Sequence, residues 1–383
     1  MKLRILALGL AAAGVISLCS VARAQDVPQQ FVVTGKAAER IQDFTTINLA
    51  TAERIAEGCE EAVAGHDGQH TIMVLDKAGN HVYMDRMDGQ GYLNIITAEM
   101  KARTALLGRE PSKDFMNRVI QDPNQEIELL QLGFYPVAGG LPIVVNKQLI
   151  GVVGAGGYRP NPPVWSDEIC VHTALVKIFG PSVPPLVEDL PQRANPNPGN
   201  APVPRFAAAA PPKSTLPAED VVGGKGAANV FDGNQISLAA AKKIARACRD
   251  WASSKGGLMS LYVLDTAGEF VHVERMDGEL PNDLHTALLK AQTALKTRAP
   301  TSISAAQLKN NPAGLPRTAM FFNFYEVSGG VPIVVDGQMI GAVGVSGGAG
   351  GGDEACAVAG LKAAFGEHAT VPVYPGGMEG GAR

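Results

Sequence analysis

Apolar and polar residues alternate in the same order twice along the chain. After Asn48 and again after Ser237, apolar residues recur every three or four positions, which predicts amphipathic helices. Asn48 and Ser237 are both suitable N-caps for these helices. Short apolar runs around turn residues then predict strands at 71–76 and 80–86, and a last helix is predicted to begin near Asp167. With an intervening helix and a second hairpin, the predicted order is α-ββ-α-ββ-α. This order is typical of an α+β domain whose antiparallel hairpins are covered by helices.

The two halves of this pattern are copies of each other. Residues 33–123 match residues 222–312 at a constant offset of 189 positions, without a gap. Arg-Met-Asp-Gly begins at position 86 and again at position 275. Gly-Gly-x-Pro-Ile-Val-Val begins at position 139 and again at position 329, so its offset is one residue larger. Such a fixed offset indicates that one domain has been duplicated in tandem.

The first residues have the pattern of a secretory signal peptide. Lys2 and Arg4 precede an uncharged apolar run, and Ala22-Arg23-Ala24 offers the small-x-small site that signal peptidase cleaves. We therefore predict a periplasmic or secreted protein, cleaved near Ala24, and no later stretch predicts insertion into a membrane. The predicted boundaries are a signal peptide at 1–24, a first domain at 33–180, a proline-rich linker at 181–221, a second domain at 222–366 and a flexible tail at 367–383.

The charge of the chain disfavours two classes of partner. The formal net charge is −4, and loss of Lys2, Arg4 and Arg23 with the leader makes it −7. No basic run is present, whereas nucleic acids and anionic membrane surfaces are bound by clustered lysine and arginine. We expect neither as a partner.

The four cysteines that follow the leader are predicted to form one disulfide within each copy. Cys59 corresponds to Cys248 in the first predicted helix, and Cys170 corresponds to Cys356 in the last. An oxidising compartment favours disulfides, and the duplication selects Cys59–Cys170 and Cys248–Cys356 among the three connectivities. The alternative is four buried thiols, and a zinc site is disfavoured because no Cys-x-x-Cys spacing occurs.

Cations and glycines shared by the copies are the candidate ligand-binding residues. An arginine can hold an anion through its bidentate fork, and backbone amides in a glycine-rich loop before a helix can hold a carboxylate or phosphate. In the alternative interpretation, the arginines pair with nearby aspartates and the glycines serve only as turns. The candidates are Arg86, Lys101, Gly139 and Gly140 in the first copy, and Arg275, Lys290, Gly329 and Gly330 in the second.

No histidine is repeated, which excludes a duplicated histidine metal site. His272 aligns with Tyr83 and His285 with Ile96. A metal site in one copy that uses His272 or His285 stays open, although a single histidine is more often a surface or satisfied core residue.

Two shared pairs of residues have side chains that can bind haem iron. They are Met87 with Met276 and Tyr135 with Tyr325, and the alternative for all four is core packing. The chain has no Cys-x-x-Cys-His motif, so any haem is expected to bind non-covalently.

Five short motifs occur in the same order in both copies: Leu-Asp-x-x-Gly, Arg-Met-Asp-Gly, Lys-Ala-x-Thr-Ala, Gly-Gly-x-Pro-Ile and Ile-Gly-x-x-Gly. In that order they resemble the GlcG/HbpS family of haem-binding proteins, and the resemblance covers almost all of both copies. It implies a profilin-like α/β/α sandwich with a five-stranded antiparallel sheet in each copy, a haem cofactor and assembly into homo-oligomers. The tandem copies, cysteine pairs and linker depart from the simple single-domain pattern.

Three hypotheses for function follow. The first is a haem- or tetrapyrrole-binding protein for storage, sensing or redox protection. The second is an enzyme of deaminase or tautomerase type acting on a small organic carboxylate, with Arg86 or Arg275 as anchor and Lys101 or Lys290 assisting proton transfer. The third is an assembly module in which the two copies imitate a homodimer within one chain.

Overall fold

A computed structural model describes residues 27–157 except 65 and 67, 166–191, 213–310 except 225 and 231, 320–348 and 352–370. The predicted signal peptide, the middle of the linker and most of the tail lie outside the described residues. None of the helices in the described ranges is both long and apolar enough to span a bilayer.

Both repeats contain the predicted order of helices and strands, together with further helices that the prediction did not include. The first repeat contains α1 (Gly35–Ile41), α2 (Leu49–Ala64), β1 (Thr71–Asp76), β2 (His81–Arg86), α3 (Leu93–Gly108), α4 (Ser112–Gln121), α5 (Gln125–Gln131), β3 (Gly140–Val145), β4 (Gln148–Gly156) and α6 (Asp167–Phe179). The second contains α7 (Leu238–Ser254), β5 (Ser260–Asp265), β6 (Phe270–Arg275), α8 (Pro281–Thr297), α9 (Thr301–Asn310), β7 (Gly330–Val335), β8 (Gln338–Ser346) and α10 (Asp353–Phe365).

All eight strands form one antiparallel sheet in the order β3-β4-β1-β2-β6-β5-β8-β7. The repeats join at its centre, where β2 pairs with β6 and Met84 lies opposite Val273. The five-stranded sheet expected in each copy is not found, because within the described residues each repeat contributes four strands. The edge of β2 is covered by the equivalent strand of the other repeat, so the sheet continues across the boundary instead of ending there.

Helices cover both faces of the sheet. The side chains of β1 alternate as a pleated strand requires: Ile72 and Val74 pack with the core under α2 and α6, while Met73 and Leu75 face α3. The second repeat places α7 and α10 on the first face and α8 on the second. The molecule is therefore a three-layer α/β/α sandwich with apolar cores on both sides of the sheet.

The two predicted disulfides are confirmed. Cys59 and Cys170 are joined with their Cα atoms 4.9 Å apart, and Cys248 and Cys356 are joined at 4.8 Å. Each bridge ties the first long helix of a repeat to its last helix. Closing a loop of more than a hundred residues contributes about 4–5 kcal/mol to stability in the chain-entropy model.

The Arg-Met-Asp-Gly motifs hold the two repeats together. Arg86 Nη2 lies 2.6 Å from Asp265 Oδ2, and Arg275 Nη2 lies 2.6 Å from Asp76 Oδ2, so each arginine pairs with an aspartate of the other repeat. The aspartates of the motifs also act across the boundary. Asp88 Oδ1 accepts a hydrogen bond from the backbone N–H of Leu238 at the start of α7, and Asp277 does the same for Leu49 at the start of α2, both at 2.8 Å.

We expect Arg86→Met to destabilise the protein by about 3–5 kcal/mol, because it leaves the buried Asp265 carboxylate without its cation. The free energy of unfolding from denaturant titration measures this loss. Arg103→Met is the matched control, since Arg103 is exposed and its ion pair lies on the surface. Equal effects of the two substitutions would contradict the proposed importance of the cross-repeat pair.

Candidate functional site

The two candidate lysines each anchor the start of the last helix of their repeat. Lys101 Nζ donates to the backbone oxygen of Ala155 at 3.1 Å and lies 2.5 Å from Asp167 Oδ2. Lys290 Nζ makes the equivalent contact with Asp353 Oδ2 at 2.6 Å and also donates to a backbone oxygen of β8. Both lysines are buried, so the structure engages their charges in internal ion pairs.

The candidate glycines lie against these lysines. A Cβ at Gly140 would stand 2.1 Å from the backbone oxygen of Lys101, and a Cβ at Gly330 would stand 2.2 Å from that of Lys290. Gly139 and Gly329 precede them with φ values of 125° and 130°, which favour glycine. The glycines thus let β3 and β7 pass directly over the lysine-bearing helices. In each repeat, the shared lysine and the two glycines therefore lie together at the start of the last helix. The shared arginine does not join them, because it pairs with an aspartate of the other repeat.

In the first repeat, a histidine that was not predicted from the sequence lies beside this lysine and its aspartate. His70 is buried, and its Nε2 lies 3.1 Å from Asp167 Oδ1. Burial acts to raise the pKa of Asp167, but the hydrogen bond from His70 and the charge of Lys101 hold it below its usual value. The aligned residue of the second repeat is Met259. His70 is therefore not among the residues common to both copies.

The two candidate metal-binding histidines lie on opposite faces of the sheet. The His272 side chain is 0% exposed beneath α7, with Nδ1 2.5 Å from Asp85 Oδ1 and Nε2 3.1 Å from Glu274 Oε1. Burial opposes its charged form, but the two carboxylates more than offset this and raise the pKa of His272 to about 9. His285 is exposed on α8. Across the described ranges, no cluster of three or more histidine, cysteine, aspartate or glutamate residues suits a metal ion.

The candidate methionine and tyrosine ligands for haem iron are all half-buried. Met87 and Met276 pack against the apolar cores, and the Met87 sulfur accepts a hydrogen bond from the backbone N–H of His70. The backbone N–H groups of Tyr135 and Tyr325 are held by the hydroxyls of threonines on α3 and α8. The contacts of the two methionines match the core-packing interpretation.

His272 belongs to a charge network that crosses the boundary between the repeats. Lys242 Nζ on α7 lies 2.9 Å from Asp85 Oδ2 and 3.3 Å from Glu60 Oε2 on α2. Arg249 Nη1 lies 3.0 Å from Glu274 Oε2. Burial and the neighbouring Asp85 raise the pKa of Glu60 to about 8. The central strand pair thus carries buried charges that are neutralised from both repeats.

The helices α2 and α7 carry opposite charges at equivalent positions. Glutamates of α2 face cations of α7, and Arg246, for example, lies 2.7 Å from Glu57 Oε1. In each matched set, one repeat has the acid and the other has the base, so each repeat is complementary to the other and not to itself. The matched positions are Glu53 with Lys242, Glu57 with Arg246 and Glu60 with Arg249.

We expect Lys242→Glu to cost about 3–5 kcal/mol of stability, because it removes the cation beside buried Asp85 and adds a like charge. Adding Glu60→Lys returns a cation to the cluster and should recover part of the loss. Denaturant unfolding of the wild type, both single variants and the double variant gives the coupling free energy. Strictly additive effects would contradict the direct interaction.

An apolar groove crosses the repeat boundary on the other face of the sheet. It has a volume of about 300 Å³ and is formed by α3 of the first repeat and the beginning of β6 of the second. Beneath it, His81 Nδ1 lies 2.8 Å from the hydroxyl oxygen of Tyr262. The lining residues are Ile95, Ile96, Glu99, Met100, Arg103, Glu269 and Phe270.

The groove continues into an exposed apolar stripe on α3. The exposed residues of this stripe are Leu93, Ile96, Met100 and Leu107. At the positions of Leu93, Ile96 and Leu107, α8 has Asn282, His285 and Lys296. Large exposed apolar residues in a row suggest a binding surface. The difference between α3 and α8 was the sequence signal that could have revealed the groove.

The family model for "Haem degrading protein HbpS-like" matches residues 47–175 and again residues 236–362. The chain belongs to the HbpS-like family. The predicted family and the predicted duplication are therefore confirmed.

Individual relatives match one repeat each. An uncharacterized 15.0 kDa protein of Citrobacter freundii, from the dhaT-dhaS intergenic region, is 33% identical over 138 residues, which are 35% of this chain and 93% of the relative. Protein GlcG of Escherichia coli strain K12 is 36% identical over 111 residues, 29% of this chain and 81% of GlcG.

Two solved structures also match. The crystal structure of HbpS is 31% identical, with a TM-score of 0.31, and covers 34% of this chain and 91% of HbpS. A PduOC:haem complex is 23% identical, with a TM-score of 0.32, and covers 34% of this chain and 94% of that protein.

Proposed function

We propose that this HbpS-like protein binds haem or a related tetrapyrrole without a covalent bond. The observation that carries this proposal is that both repeats match the HbpS-like model, whose description names haem chemistry. A role in storage, sensing or redox protection in the periplasm or outside the cell goes with it. The two disulfides support export, since such bonds persist in oxidising compartments.

The groove at the repeat boundary has the chemistry that a tetrapyrrole needs. Ile96, Met100 and Phe270 offer apolar contact to the macrocycle, and Arg103 stands at the rim with a guanidinium group that suits a propionate. Its volume of about 300 Å³ lies at the lower end of the usual range for small-molecule sites. We therefore place one edge of the macrocycle in the groove and the remainder against the exposed stripe of α3.

Met100, which lines the groove, and His81, which lies beneath it, are the residues here that suit iron. The hydrogen bond between His81 Nδ1 and Tyr262 resembles the bond that orients metal-binding histidines through their second nitrogen. It leaves Nε2 as the ring nitrogen for iron, but that atom is buried and forms an ion pair with Glu99 Oε2 at 3.6 Å. Iron could therefore bind there only after the Glu99 side chain had turned away from Nε2. When bound, haem would supply the redox and ligand-binding chemistry of its iron.

We expect haemin titration of the wild type to give a saturable Soret shift, and Tyr262→Phe to weaken binding by about tenfold or more, the usual effect of losing such a partner. His81→Ala and Met100→Leu test the ligands themselves by changes in the spectrum of the complex. His285→Ala, which removes an exposed histidine outside the groove, should leave affinity and spectrum unchanged.

The outcomes separate the parts of the proposal. Absence of saturable haemin binding by the wild type would exclude haem as the ligand. Binding that none of the three groove substitutions alters would place the haem elsewhere on the protein.

The alternative enzyme needs an accessible cation to anchor a small carboxylate. The structure instead places Arg86, Arg275, Lys101 and Lys290 in buried ion pairs with aspartates. The observations therefore favour haem binding over carboxylate turnover at these residues.

A further inference from the structure

The corner between β2 and α3 differs chemically from the equivalent corner of the second repeat. In the first repeat, Asn94 Nδ2 donates a hydrogen bond to Gln90 Oε1 at 2.5 Å, and Gln90 Nε2 donates to the backbone oxygen of Gln69. Two amide groups therefore supply the N–H donors that this buried corner needs. The aligned residues of the second repeat are Glu279 and Asp283.

In the second repeat the side chains occupy the same places, but Glu279 and Asp283 have no amide N–H groups to donate. The Glu279 side chain is 0% exposed. A Cβ at Gly347 would meet Glu279 Oε2 at 2.5 Å and the backbone oxygen of Leu258 at 2.8 Å. A Cβ at Gly157 would likewise meet the Gln90 amide and the Gln69 oxygen, so Glu279 occupies the place of Gln90. If Glu279 were ionised, its carboxylate oxygen would face the backbone oxygen of Leu258 with no hydrogen between the two acceptors.

The charges around Glu279 do not compensate for an ionised form. Asp283 on α8 and Asp353 at the start of α10 face it with like charge, and Lys290 is already engaged by Asp353. The one cation bonded to Glu279 in the described part of the chain is Arg40, which lies 3.3 Å from Oε1 and is 47% exposed. No donor reaches the buried Oε2 atom within these residues.

We infer that Glu279 is a neutral carboxylic acid at pH 7 and that its proton replaces the amide hydrogen of Gln90. The second repeat thus contains a proton-binding site that the first repeat lacks. The O–H group donates to the backbone oxygen of Leu258 or to Asp283, and either bond removes a contact between two acceptors. Carboxyl groups that are crowded together in other proteins share a proton for the same reason.

This proton makes the stability of the second repeat sensitive to alkaline pH. Burial raises the pKa of Glu279 and the charge of Asp283 raises it further, to about 8, although Arg40 acts in the opposite direction. An acid with a raised pKa in the folded state binds more protons folded than unfolded. Its contribution to stability is therefore complete at low pH and is lost as the pH rises through about 8.

The test compares the wild type with Glu279→Gln, which supplies a permanent amide donor as in the first repeat. We expect the denaturation midpoint of the wild type to fall relative to that of the variant as the pH rises from about 6 to about 9. Glu367→Gln, at an exposed position, is the control and should follow the wild type. Glu60 is present in all three proteins, so its own titration cancels in the comparison.

Infrared spectra provide a readout that does not depend on stability. The wild type at pH 7 should show a carbonyl stretch of a protonated carboxylic acid that Glu279→Gln lacks. If that variant fails to fold, Asp283→Asn restores the amide found at Asn94, and it should move the loss of this band and of stability to lower pH. Parallel pH profiles together with identical infrared spectra, or an unshifted transition in Asp283→Asn, would overturn the inference.

Discussion

The pairing of β2 with β6 is the interaction on which the rest of this structure depends. It brings Asp85, His272 and Glu274 to the centre of a sheet that excludes water, where unmatched charge is costly. Each of these groups is neutralised across the boundary or by a helix packed over it. The same boundary supplies the acceptors that cap α2 and α7. Each repeat leaves some of its buried charged groups to be paired by the other, so the two repeats stabilise each other.

Much of the fold could be predicted from the sequence because the deciding information is local or repeated. Apolar periodicity indicated the helices and hairpins, and equal positions in the two copies selected Cys59–Cys170 and Cys248–Cys356. The number of strands in the sheet could not be predicted in this way, since the partner of β2 lies in the other repeat. Arg86 illustrates the same limit. Its pairing with an aspartate was one of two open interpretations, and Asp265 lies 179 residues further along the chain.

The candidate site was harder to predict because it is asymmetric. Residues shared by both copies are those that the duplicated fold needs in both places, and the lysines and glycines serve the packing of helix on strand. His70, His81 and Glu279 have Met259, Phe270 and Gln90 at their matched positions. The duplication gives no signal for residues that differ between the copies. The groove also draws on both repeats, and contact between α3 and β6 follows only from the way the repeats pair.

The opposite charges of α2 and α7 determine which copies of this domain can pair through this face. The relatives described above match a single repeat, and two identical subunits that meet face to face must have self-complementary surfaces. Here two copies of the first repeat would bring glutamate against glutamate, and two copies of the second would bring cation against cation. Separated into two chains, the repeats could meet through this face only as unlike partners. The covalent link keeps the two unlike partners together in equal number.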